Sequence, residues 1–422
     1  MRSLIILAVI VIGIIVIGFW LLSPPERDEI TAGASPVEAL RGDIEGFYRA
    51  DGPKEFQFPA DHGPHPGYRT EWWYYTGNLF TEDDRHFGYQ FTIFRNQLSP
   101  PDADPNVAPD AKLNFSQNTD PQAGHFSGTE TDPGPPGSQD RSSWATDQLY
   151  LAHFAISDMN NEEHHYEERF SRGAAGLAGA EADPFRIWLE DWSAERTDDH
   201  SPVGEEALPV TIRARNEQMG MDLVLNPVKP IVLHGNQGYD PKGSGPGNAS
   251  YYLSFTRMQT RGTITIGQTE YDVSGYSWMD HEWSTSVLGE DQEGWDWFSL
   301  QLSDGYDLMY YQLRNKDGTL SPYATGTLID PDGNTIALGD GDVALEEQEH
   351  WTSPHTGGTY PVTWRLSIPS QSLNLEIAGY FPDQEMNVSV TYYEGAVNVR
   401  GTREDEPVRG YGFVEMTGRI SP

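Results

Sequence analysis

Chemistry in this 422-residue chain concentrates in one stretch, Gly275-Tyr276-Ser277-Trp278-Met279-Asp280-His281-Glu282-Trp283-Ser284. A carboxylic acid held among indole rings loses the hydration that stabilises its anion. Its pKa rises, and it can act as a general acid near neutral pH. Asp280 is the candidate for that role, and an adjacent charged imidazole at His281 would oppose the rise. On a strand, alternation puts Trp278 with Asp280 on one face and His281 with Trp283 on the other. A bulge near Gly275 or Ser284 would change which of them meet. The alternative is a strand-end salt-bridge network with no ligand.

A second cluster is Tyr68-Arg69-Thr70-Glu71-Trp72-Trp73-Tyr74-Tyr75. Both faces of such a strand carry rings, as on a strand buried on two sides. Glu71, Trp72, Trp73 and Tyr74 either line a pocket or pack a core in which Glu71 pairs with an Arg, because an acid among rings is costly without a partner or a task. His153, in Leu149-Tyr150-Leu151-Ala152-His153-Phe154, is either a hydrogen-bonded core histidine or a ligand contact. His164-His165 among Glu162, Glu163, Glu167 and Glu168 reads as a solvated acidic turn rather than a metal cluster. Asp330, Asp332 and Asn334 lack the remaining ligands of a calcium loop and read as a hairpin turn. No metal site is expected. There is no Gly-x-Ser-x-Gly elbow, His-Glu-x-x-His motif, phosphate loop or dinucleotide fingerprint.

The elements that must position these groups are short and alternating. FGYQFTIF (87–94), QLYLAHFAI (148–156), FRIWLEDW (185–192) and MDLVLNPV (221–228) read as strands, followed by SYYLSFT (250–256), GTITIG (262–267), WFSLQL (297–302), DLMYYQLR (307–314), VTWRLSI (362–368) and LNLEIAGYF (373–381). With 43 Gly and 30 Pro as turn punctuation, the expected class is all-β. Residues 99–143 read as a long surface loop or lid, and 37–48 as a short helical patch. HGNQGYDPKGSGPGNAS (234–250) is turn-rich, which places a domain junction there. The expected division is an anchor at 1–23, a linker at 24–55, a first barrel at 56–235 and a second at 250–422.

A net charge of −37 excludes nucleic acid as a partner. Only Lys54, Lys112, Lys229, Lys242 and Lys316 are lysines, and an acid-rich, Lys-poor surface suits a high-salt habitat. With no cysteine there is no disulfide, thiolate metal site or lipoprotein anchor. The apolar run from Leu4 to Leu22 follows Arg2, is long enough to cross a bilayer, and ends at an interfacial Trp20. It reads as an uncleaved inner-membrane anchor with the rest of the chain periplasmic. Cleavage after a leader at AGAS (32–35), giving a secreted protein, is the alternative.

HPGYRTEWWYYTGNL (65–79) and SGYSWMDHEWSTS (274–286) resemble the carotenoid 1,2-hydratase (hydroxyneurosporene synthase) and AttH family of lipocalin-like proteins. The similarity extends to QLYLAHFAISD (148–158), RFSRGAAGLAGA (169–180), PIVLHGNQGYDPKG (230–243) and SYYLSFTR (250–257). It implies two consecutive lipocalin-like barrels around a pocket for a hydrophobic small molecule or lipid. In the hydratase branch, water adds to an alkene without a cofactor, an acid protonating the alkene and aromatic faces stabilising the cation. Carried onto this chain, Asp280 is the acid, His281 and Trp283 match the Asp-His-x-Trp element, and Trp278 or Tyr276 lines the pocket. The anchor, the acidity and the long loop fit the AttH-like branch at least as well, so the leading expectation is an extracytoplasmic lipid- or isoprenoid-binding protein working beside an ABC-type permease, with a cofactor-independent hydratase or cyclase using Asp280 as the alternative.

Overall fold

The structure, a computed structural model, describes residues 44–101, 146–197, 203–204, 206–286 and 288–420. The expected anchor and the 99–143 loop fall almost wholly outside them, as does most of the linker. Of the expected helical patch only residue 44 onward is described, and it is turn and coil. Among the described residues no helix is long and apolar enough to cross a membrane.

The chain is all-β, as its alternation requires. The first sheet is built from β1 (Thr70–Phe80), β2 (His86–Gln97), β3 (Gln148–Asp158), β4 (Glu163–Arg172), β5 (Ala178–Ala182), β6 (Phe185–Leu189), β7 (Trp192–Arg196), β8 (Val210–Arg215) and β9 (Met219–Pro227). It continues through β10 (Val232–Leu233), β11 (Tyr239–Pro241), β12 (Ala249–Ile266) and β13 (Thr269–Ser284). Its antiparallel order is β4-β3-β2-β1-β13-β12-β9-β8-β7-β6-β5, with β10 and β11 alongside β12. The junction expected at 234–250 therefore lies inside this sheet. The turn-rich segment carries β10 and β11, and the strands after it return to pair with β1 and β9. The sheet curls into a nearly closed barrel, with Arg169 of β4 stacked 4.1 Å over the Trp192 ring of β7. Trp73, Tyr75, Phe91, Phe154, Trp192 and Leu223 fill its interior.

The second sheet, a half-barrel, starts at β14 (Gln292–Leu302) and β15 (Asp307–Asn315) and continues with β16 (Thr325–Ile329), β17 (Thr335–Leu338) and β18 (Ala344–Glu347). A separate hairpin, β19 (His350–Thr352) with β20 (Thr359–Pro361), precedes β21 (Thr363–Ile368), β22 (Leu373–Gly379), β23 (Glu385–Met386), β24 (Tyr392–Arg403) and β25 (Glu406–Met416). Asp330 accepts from the backbone of Asp332 and Asn334, closing the β16–β17 hairpin turn. His164 and His165 sit on strand β4 instead of a turn, and alternation sends them to opposite faces.

Both sheets belong to one compact unit. The outer face of β1, β12 and β13 packs on β14, β15, β24 and β25 through Tyr74, Tyr252, Trp278, Trp297, Met309, Tyr311 and Phe413. That is why β1 carries rings on both faces. Gly88 permits the approach, since a Cβ there would lie 2.8 Å from Ala396 Cβ. Polar ties cross the seam: Tyr74 donates to Glu394 at 2.8 Å, and Gln301 donates to the carbonyls of Thr256 at 2.7 Å and Ser277 at 3.0 Å.

Candidate active site

The seam encloses a cavity of about 140 Å³. On the first sheet one register row crosses six strands, Glu168, His153, Thr92, Tyr74, Asp280 and Ser254 being successive cross-strand partners, and His153, Tyr74 and Asp280 of that row line the cavity. The adjoining row brings Leu151, Phe94, Trp72, Glu282 and Tyr252 to the same face. The second sheet answers with the row Tyr311, Trp297, Glu415, Glu394. Fully buried Tyr74, Tyr252, Asp280, Tyr311 and Tyr392 lie deep, and half-buried Trp72, Phe94, Leu151, Trp295 and Val390 complete the apolar lining.

Asp280 is 4% exposed. Its Oδ1 accepts from Trp278 Nε1 at 2.6 Å and from the Ser254 hydroxyl, and its Oδ2 accepts from the Tyr252 hydroxyl at 2.7 Å. Burial pushes its carboxyl up to about 7, while the three donors hold it down and nearby Glu282 adds to the rise. Oδ1 accepts two hydrogen bonds and Oδ2 one, an arrangement that leaves Oδ2 the better seat for the proton. Behind it, Ser254 is held by His234 Nε2 at 2.7 Å. Burial keeps that imidazole neutral by lowering its pKa to about 3. Trp297 Nε1 donates to Tyr252 at 2.9 Å, so the tyrosine is fixed from both sides.

Other acids share the cavity. Burial raises half-buried Glu415 to about 8 against a 2.7 Å hydrogen bond from Trp295 Nε1. Burial and Glu415 together raise its cross-strand neighbour Glu394 well above the carboxylate range. Glu282 is also raised by burial, against the pull of Lys242. Lys242 lies 2.7 Å from Asp240 and 3.1 Å from Glu282, with its ammonium 4.0 Å from the Tyr311 ring centre. Burial works against its charge, but the two carboxylates outweigh it and hold the ammonium protonated.

Of the candidates named from sequence, Asp280, Trp72, Tyr74 and His153 line the cavity, and Trp278 grips Asp280 from beside it. His281 does not join them. It faces the interior of the first barrel, stacked on Trp73 at 4.8 Å, with Nε2 2.8 Å from Glu71 Oε1. Regular alternation separates it from Asp280; the bulge of this ladder lies on β12 between Phe255 and Met258. Trp73 is barrel core. Trp283 stacks on His65 at 3.6 Å, away from the cavity. Tyr276 is exposed, with Arg257 5.4 Å from its ring centre, so it contributes no cavity wall.

Glu71 takes the core reading. It is fully buried, with Arg95 Nε at 2.7 Å, His65 Nδ1 at 2.7 Å and His281 at 2.8 Å. Burial alone would raise its carboxyl, but Arg95 and the imidazoles hold it well below the usual range. His65, Glu71 and His281 have donors spaced to hold a metal ion. Arg95 already occupies the other Glu71 oxygen, and His65 Nε2 lies 2.9 Å from Asp61, so the group reads as an ion-pair network.

Sequence reasoning missed Tyr252, Lys242, Trp295, Trp297, Tyr311, Tyr392, Glu394 and Glu415. Readable signals were the Trp295-x-Trp297 alternation and the single acids inside apolar strands, Glu394 in YYEGAV and Glu415 in GFVEM. Asp240 and Lys242 were hidden because their segment resembles a linker.

The sequence profile of the AttH-like family matches residues 49–419. The chain belongs to the AttH-like family. A solved structure designated AttH from Nitrosomonas europaea covers 89% of this chain and 100% of its own, with a TM-score of 0.69 and 29% identity. The kievitone hydratase of Fusarium solani subsp. phaseoli is 24% identical over 212 residues, which is 48% of this chain and 58% of that protein. The solved kievitone hydratase of Nectria haematococca covers 89% of this chain and 98% of its own, with a TM-score of 0.60 and 14% identity. This AttH-like protein thus shares its lipocalin-like fold with a hydratase.

Proposed function

We propose that this protein is a cofactor-independent hydro-lyase that adds water to, or removes it from, an isoprenyl-type alkene held in the seam cavity. Asp280 carries the reading: a carboxylic acid titrating near 7, clamped on one oxygen, in an aromatic cavity. In the hydration direction Asp280 Oδ2–H gives its proton to the less substituted alkene carbon, the π pair forming the new C–H bond. The cation left on the neighbouring carbon faces Trp72, Tyr74 and Trp297, whose ring faces favour positive charge. Water then supplies the pair for the C–O bond and releases a proton.

Size favours a short reacting group. A cavity of about 150 Å³ takes up benzene, and the 140 Å³ here suits one isoprenyl unit or one ring. A prenylated phenol, of which kievitone is the instance named by the relatives, fits that better than the length of a carotenoid. Lys242, Asp240 and Glu282 would meet the polar part of such a ligand.

The second reading is an extracytoplasmic lipid- or isoprenoid-binding protein. The apolar lining favours it equally, and a tether and permease partner would belong with it. Incubation with kievitone and simpler prenyl phenols, followed by mass spectrometry, separates the two. Hydrated product from the wild type and none from Asp280→Asn supports the lyase. Binding without turnover in both supports the carrier. Fractionation of expressing cells tests the tether, with membrane-associated protein the expected result.

A further inference from the structure

The row that holds Asp280 ends, three strands away, in a second hydrogen-bonded chain that the acid step does not use. Tyr392 and His153 both line the cavity. Their Oη and Nδ1 atoms are 2.6 Å apart, and His153 Nε2 is 3.0 Å from Glu168 Oε2. Glu168 also accepts from the backbone N–H of Ser389 at 3.2 Å and from its hydroxyl. Despite partial burial, which acts to raise it, His153 and Ser389 hold Glu168 below the ordinary glutamate range, so it is a carboxylate. A carboxylate only accepts. His153 therefore donates through Nε2, and in the neutral imidazole Nδ1 is the acceptor to which the Tyr392 hydroxyl donates. The lone pairs of Tyr392 oxygen are left as acceptors at the cavity wall.

The register separates the two groups suitably. With strands about 4.8 Å apart, His153 on β3 and Asp280 on β13 are about 14 Å apart at their backbones. That is too far for direct exchange between them and wide enough for a ligand and a water. Glu168 is half-buried while His153 and Tyr392 are buried, so the chain reaches from the cavity to the protein surface at Glu168.

We infer that Tyr392, His153 and Glu168 form the proton relay that deprotonates the attacking water, an assignment that rests on the hydration reading above. As the water oxygen forms its bond to the cationic carbon, one water O–H breaks and its proton goes to Tyr392 oxygen. The proton of Tyr392 moves to His153 Nδ1, giving an imidazolium paired with the Glu168 carboxylate. Burial and Glu394 disfavour a tyrosinate, so both transfers occur together. Once product has left, the Nδ1 proton returns through the Tyr392 hydroxyl to solvent in the emptied cavity, which restores the Nε2–H tautomer, and Asp280 regains a proton. Tyr392 is the catalytic residue here; His153 and Glu168 act through it.

The full chain is assayed with kievitone as probe, comparing wild type, Tyr392→Phe, Glu168→Gln and Asp280→Asn. A general base contributes about 100-fold or more. The expected result for Tyr392→Phe is a loss of that size in kcat, with KM within twofold and a changed solvent deuterium isotope effect. Glu168→Gln, which lies off the cavity and removes no packing, keeps the relay testable if the tyrosine variant misfolds. It should lower kcat about tenfold in protein that stays folded, with a modest drop in melting temperature from the lost ionic acceptor of His153 and Ser389. Wild-type rates in a folded Tyr392→Phe or in Glu168→Gln, with Asp280→Asn inactive, overturn the relay and leave hydration standing. An inert wild type overturns the hydration reading and the relay with it.

Discussion

Replacing Asp280 by Asn separates what this acid costs the fold from what it does. Burial lifts its carboxyl from 3.8 to about 7. Each unit is worth about 1.4 kcal/mol, so the shift corresponds to about 4 kcal/mol. The sign follows from proton binding. Between the two values the unfolded chain has released the proton and the folded protein still holds it. Stability is therefore full below about pH 4, falls up to about pH 7, and stays lowered above it. Asparagine has the same shape and no charge at any pH. Its carbonyl can accept from Trp278 and Ser254 as Oδ1 does, but its amide would meet the Tyr252 hydroxyl and turn that hydrogen away, at about 1 kcal/mol. The variant should be about 3 kcal/mol more stable than wild type near pH 8 and about 1 kcal/mol less stable near pH 3. Urea unfolding of both proteins at the two pH values reads the difference. A variant less stable at both, or an unchanged difference between them, refutes the assignment of a buried neutral acid.

Three further outcomes follow from the same geometry. Ser254→Ala removes one of the donors that hold the Asp280 anion; the alkaline limb of the pH–rate profile should move up by about one unit, and a downward shift would contradict the hydrogen-bond assignment. Arg95→Met leaves Glu71 buried with its strongest counter-charge gone. Thermal unfolding should register a loss of about 3–5 kcal/mol, with cavity binding retained in the protein that stays folded. Leu151→Trp fills the cavity mouth, so prenyl phenols should no longer quench the tryptophan fluorescence of Trp72, Trp295 and Trp297; persistent quenching would move the ligand elsewhere.

The all-β class and most strands were legible because residue alternation is a local property of the chain. So was the splitting of Trp278 and Asp280 from His281 and Trp283, since only a bulge could have undone it, and the bulge lies elsewhere. Which face of β1 meets the ligand was not legible. Glu71-Trp73-Tyr75 and Trp72-Tyr74 are equally aromatic, and the choice depends on which face the second sheet covers. The sheet boundary was misread for a related reason: glycine-rich turns mark a break in local pairing, while β12 is claimed by β9 across that break and β13 by β1 about 200 residues earlier, as in Glu71 opposite Trp283. Much of the cavity wall, including Trp297, Tyr392 and Glu415, comes from the second sheet, whose approach to β1 no local pattern encodes.

The most direct test of the account is the carbon-13 carboxyl shift of Asp280 in aspartate-labelled protein, assigned by its loss in Asp280→Asn and followed from acid to alkaline pH. A titration midpoint near 7 is the predicted result. A midpoint near the ordinary aspartate value of 3.8 would mean a solvated carboxylate, and the acid step assigned to Asp280 would have no proton to give.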